Sequence, residues 1–124
     1  MRIAGRKEFS AWEWATIFGL SGATLVMCEL AGIKERWADA AVYTVLLFTV
    51  VTLALRAAWG RPVFWRNLLG ALVIHTLAII ATIHVLSPRV QRLPWLLLTA
   101  VGIAEGLVMA SVLWKRTVAQ TTGR

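Results

Sequence analysis

The stretch NLLGALVIHTLAIIATIHVLSP, residues 67–88, carries no formally charged side chain. At 1.5 Å per residue, a helix of that length exceeds the ~30 Å hydrocarbon layer of a bilayer. Three more apolar stretches lie outward from it. Leu93 to Trp114 is interrupted only by Glu105, and Asp39 to Trp59 has a charge-free core from Ala40 to Leu55. That core makes roughly 24 Å of helix, short enough that Arg56 is expected to snorkel toward the headgroups. Trp12 to Ile33 is free of charge from Trp14 to Cys28, with Glu29 near its far end.

Composition points the same way. Of 124 residues, 59% are hydrophobic and 15% charged, whereas soluble domains carry about 25% charged residues. Too few polar side chains remain to clothe a small water-soluble domain. The expectation is an all-α integral membrane protein whose residues 1–124 form one domain. Its four transmembrane helices, at about 12–33, 38–59, 66–87 and 93–114, are expected in an up-down-up-down bundle.

The tryptophans give a separate test, because indole prefers the membrane interface. Trp12 and Trp14 open the first span, Trp37 and Trp59 bracket the second, Trp65 opens the third, and Trp95 and Trp114 bracket the fourth. Basic residues set the orientation. Arg2, Arg6, Lys7, Arg56, Arg61, Arg66, Lys115, Arg116 and Arg124 flank one side, against Lys34, Arg36, Arg89 and Arg92 on the other. The excess belongs on the cytoplasmic side, so both termini are expected in the cytoplasm, in a bacterial inner membrane. The same placement explains the net charge of +7 without nucleic acid, since no Lys/Arg run exceeds two and no nucleic-acid-binding signature interleaves with them.

No cleavable leader is expected, because no small-x-small site precedes Glu29; Met27 likewise spoils a lipoprotein-like match ending at Cys28. One cysteine excludes an intrachain disulfide and a multi-thiolate metal site. The connections are short, the last fixed by Pro88 and Pro94, so no soluble active site and no catalytic residue is expected.

Chemistry must then lie within the spans, where side chains can be placed by depth. Counted from the cytoplasmic tryptophans, His75 and Glu105 fall at roughly 15 and 14 Å, and Thr49 and Thr24 at about 15 Å. Glu29, Tyr43 and Thr99 fall farther out, at about 22 to 24 Å, and His84 near 28 Å. An ionised carboxylate at the midplane costs about 2.5 to 3.5 kcal/mol on insertion scales. Glu105 is therefore expected to be protonated, paired or facing water, with His75 as its partner. Two readings stay open: a proton path through Glu105, His75, Thr49, Thr24 and Glu29, or a hydrogen bond that only holds helices together. Glu29 also reads as a surface partner of Lys34 or Arg36, and His84 as an interfacial residue. His75 and His84 are nine residues apart on one helix, hence on opposite faces, so one chain cannot offer both to a haem. No cofactor and no metal are expected.

Two small-xxx-small stripes, Gly102, Gly106 and Ala110 on the fourth span and Ala15, Gly19 and Ala23 on the first, predict close helix contacts. Size, four spans and an acidic residue in the first resemble the architecture of the small multidrug-resistance transporters. Here, however, Glu13 and Glu29 stand at the two edges of that span, away from its middle. The leading expectation is a non-catalytic accessory or assembly subunit that forms homo-oligomers or docks on a membrane-protein partner. The alternative is a small proton-coupled transporter or channel using the Glu105 and His75 pair.

Overall fold

The computed structural model describes residues 8–86 and 95–122. Arg2, Arg6, Lys7, Arg89, Arg92 and Arg124, together with Pro88 and Pro94, lie outside the described residues. The described residues fold into four helices, α1 (Ala11–Leu30), α2 (Glu35–Ala54), α3 (Pro62–Leu86) and α4 (Trp95–Thr122), with a 3-10 turn at Arg56–Ala58. No strand occurs among the described residues. Three helical segments, Glu35–Ala54, Pro62–Val85 and Leu96–Ala119, are long and apolar enough to cross a membrane. α1 has 20 residues, but Glu13, Glu29 and interspersed Gly, Ser and Thr dilute its apolar content, and it is not among the three.

Local chemistry fixes where α1 begins and ends. Ser10 and Glu13 form a reciprocal capping box, with Glu13 N–H donating to Ser10 Oγ at 3.2 Å and Ser10 N–H to Glu13 Oε2 at 2.7 Å. Phe9 closes edge-on over Trp14 at 5.4 Å, a hydrophobic staple across the same turn. A side-chain N-cap contributes about 1 kcal/mol. At the other end Gly32 takes φ +67°, so Ile33 N–H reaches the Cys28 carbonyl and Gly32 N–H that of Glu29. This Schellman closure needs the left-handed conformation that glycine adopts without penalty. α1 therefore stops at Leu30, short of Ile33, and α2 begins at Glu35.

α2 is the centre of the packing, burying Asp39, Tyr43, Leu47 and Val51 at intervals of one helical turn. α1 turns Ile17, Ser21 and Cys28 inward and is tied at its start by an ion pair from Glu13 to Arg56. α3 runs antiparallel to α2, with Phe64 in the cluster of Leu55 and Ala58, His75 beside Thr44, and His84 beside Trp37. α4 runs parallel to α2, because Gly102 meets Tyr43 and Gly106 meets Leu47, numbers rising together. The core cluster continues down both helices to Leu113.

Beyond Ala54 the chain leaves the helical path of α2 in the 3-10 turn, and Trp59 follows that turn. The indole Nε1–H of Trp59 donates to the Thr52 carbonyl and that of Trp65 to the Trp59 carbonyl, both at 2.8 Å. α4 continues eight residues past Trp114, which therefore does not end it. Both departures matter for the depth of the polar residues.

Candidate functional site

Where α2, α3 and α4 meet, four polar side chains form one hydrogen-bonded network. Tyr43 O–H donates to Glu105 Oε2 at 2.5 Å. The other carboxylate oxygen, Oε1, meets His75 Nδ1. On the far side of the imidazole, His75 Nε2 lies 3.0 Å from Thr44 Oγ1. The His75 side chain is 2% exposed and that of Glu105 31%.

Proton positions follow from counting donors. Thr44 Oγ1 lies 2.9 Å from the Ala40 carbonyl and 3.0 Å from His75 Nε2; giving its one proton to the carbonyl would leave it to accept from a protonated Nε2. In that arrangement the contact between Nδ1 and Oε1 needs one further proton, on either atom. Acid with neutral imidazole, and carboxylate with imidazolium, both have zero net charge. Either form would leave the pair with no uncompensated charge, which is the condition an apolar surrounding imposes.

Packing holds these groups in place. The Tyr43 ring lies 5.6 Å from the His75 ring, and Phe48 meets His75 edge-on at 5.3 Å. On the other side, a Cβ placed on Gly102 would stand 2.9 Å from Tyr43 Cε2. Gly102 and Glu105 are one turn apart on α4, so the missing side chain at 102 is what lets the tyrosine reach the carboxylate at 105. A Cβ on Gly106 would stand 3.2 Å from Leu47 Cδ1, and Ala110 packs on the same cluster. The stripe of Gly102, Gly106 and Ala110 is thus an internal contact with α2.

Other residues on the expected path lie apart from this network. Thr49 donates to the Val45 carbonyl at 2.6 Å and Thr24 to that of Leu20 at 2.8 Å, each within its own helix. Shared depth does not bring them in, because five residues separate Thr44 from Thr49, about 140° around the helix at 100° per residue. Glu29 is exposed in the last turn of α1 and belongs to neither described ion pair. His84 is exposed and edge-on to Trp37 at 6.2 Å. Ala15, Gly19 and Ala23 point outward, and nothing lies within 4 Å of a Cβ built on Gly19. Among the described residues, this stripe is exposed, unlike the one on α4.

Tyr43 and Thr44 are the residues that depth counting missed. Measured from Trp59, Tyr43 fell about 10 Å beyond Glu105. The count fails because Trp59 lies past the 3-10 turn and is no mark of the end of α2. A usable signal is the spacing of Tyr43, Leu47 and Val51, an apolar stripe that can nest on a parallel row of glycines.

Among the described residues, no group of three or more His, Cys, Asp or Glu is placed to hold a metal ion. Both nitrogens of His75 are engaged, so axial ligation of a haem would require breaking one of its hydrogen bonds. No protein-family model, curated protein or solved structure matches the chain.

Proposed function

We propose that the chain is a small non-catalytic membrane subunit that crosses the bilayer four times with both ends in the cytoplasm and docks on a partner through α1. The observation that carries this reading is the direction of its contact groups. The midspan polar side chains engage one another inside the chain, whereas Ala15, Gly19 and Ala23 face outward on α1. Within lipid, close approach of small-residue faces is a main source of helix association. Purification in mild detergent tests it. A stoichiometric partner, or a second copy, lost on Gly19→Leu supports docking through α1. A wild-type chain that is monomeric and unaccompanied would remove the reading.

The direct contact of His75 with Glu105 favours a second reading, a proton-coupled transporter. About a third of the Glu105 side chain is accessible, which gives the pair an open side. In proteoliposomes, pH-dependent flux abolished by Glu105→Gln would support it.

The topology carries its own expected result. With Cys28 replaced by serine, single cysteines at Glu8 and Gly60 should be protected from an impermeant thiol reagent in intact cells, and one at Lys34 should be labelled. Equal labelling at Glu8 and Lys34 would mean that α1 lies along the surface. Equal labelling at Lys34 and Gly60 would remove the crossing of α2.

A further inference from the structure

A cleft of about 590 Å³ lies between α1, α2 and α3, and Phe48 divides it from His75 of the polar network. Leu20, Phe48, Leu69 and Leu72 line its length, and Trp59 and Trp65 stand in its wall. Four of the five polar side chains of that wall, all but Thr52, are bonded to the chain's own backbone. Thr16 gives its hydroxyl proton to the Trp12 carbonyl at 2.9 Å, and Thr49 to that of Val45. The N–H groups of Trp59 and Trp65 are bonded to backbone carbonyls. A hydrocarbon chain suits such a surface, whereas a ligand with a carbonyl or hydroxyl to satisfy would gain nothing from these four groups.

The segment that joins α2 to α3 beside the cleft is basic. Trp59 and Trp65 stand where α2 hands over to α3, and Arg61 and Arg66 lie in the same short segment, both exposed. An apolar cleft beside two tryptophans and two arginines has the polarity of one lipid molecule. We propose that it is a binding site for an anionic phospholipid, with an acyl chain in the cleft and the phosphate against Arg61 and Arg66. The site requires only that α2 and α3 cross the bilayer, and holds whether the chain docks on a partner or carries protons.

The test uses the full chain in phosphatidylcholine vesicles containing a minor fraction of brominated-chain phosphatidylglycerol or brominated-chain phosphatidylcholine. Quenching of Trp59 and Trp65 is read as the difference from a Trp59→Phe/Trp65→Phe variant. At low salt the anionic lipid should quench with an apparent preference of roughly fivefold, the effect of about one arginine near an anionic surface. High salt should erode the preference, and Arg61→Gln/Arg66→Gln should bring the two lipids to parity. Leu69→Phe, which fills the cleft from an exposed position, should reduce quenching by both. Equal quenching of the wild-type chain by the two lipids would mean that bulk hydrocarbon fills the cleft, and would overturn the site. That comparison depends on no variant's folding. A preference that survives the double arginine substitution overturns it as well.

Discussion

Replacing Gly102 with leucine should destabilise the folded chain by about 2 to 4 kcal/mol. Overpacking a close contact costs about 1 to 3 kcal/mol, and a side chain at 102 would also displace Tyr43, whose ring stands 2.9 Å from the position of the missing Cβ. Intramembrane hydrogen bonds average about 0.6 kcal/mol with a maximum near 1.7, so loss of the bond from Tyr43 to Glu105 adds to the steric term. Alanine separates the two glycines of the stripe. At Gly106 the obstacle is Leu47 Cδ1 at 3.2 Å, the end of a side chain that can rotate away, and Gly106→Ala should be mild. At Gly102 the obstacle is an aromatic ring held by a 2.5 Å hydrogen bond, and Gly102→Ala should cost more. Gly19 is the control. It meets nothing within 4 Å, so Gly19→Leu should stay within about 0.5 kcal/mol in the isolated chain. Thermal unfolding in detergent, followed by circular dichroism, reads all four. Equal melting temperatures for Gly102→Leu and Gly19→Leu would show that the α2 and α4 contact does not hold the fold.

That contrast marks what a single sequence discloses. Apolar runs locate the helices, because a bilayer-length stretch without charge has few other stable forms. Both glycine stripes are visible in the sequence, yet the residues are equally small on the inward face of α4 and the outward face of α1. Which stripe is covered depends on the neighbours brought to it by the turns. Those turns were partly legible: Ser10 and Glu13 have capping-box spacing, and Gly32 sits where a helix end needs a left-handed residue. Depth proved more legible than direction around the helix. His75 and Glu105 fell at one level by counting and meet in the fold, while Thr49 and Thr24 fell at that level and turn to their own backbones. Tyr43 was misplaced because a tryptophan beyond a 3-10 turn is not on the helix whose length it was used to measure.

Glu105 should tolerate glutamine and not leucine. With Thr44 accepting from His75 Nε2, the imidazole can remain neutral and offer its Nδ1 lone pair. Glutamine satisfies both neighbours, its N–H donating to Nδ1 and its carbonyl accepting from Tyr43 O–H. Glu105→Gln should therefore stay within about 1 kcal/mol of wild type near neutral pH, close to the average worth of an intramembrane hydrogen bond. Leucine leaves the Tyr43 hydroxyl and Nδ1 without partners. A stranded buried polar group costs about 1 to 3 kcal/mol, so Glu105→Leu should lower stability by roughly 2 kcal/mol or more. Removing the stranded nitrogen should recover part of that loss, making Glu105→Leu/His75→Leu less destabilised than the separate effects added together. Unfolding in a fixed detergent, measured for the three variants and for His75→Leu, completes the cycle. Additive losses would show that the two side chains act independently. Glutamine as damaging as leucine would mean that the pair is carboxylate with imidazolium and that the site requires the negative charge, which an amide cannot supply.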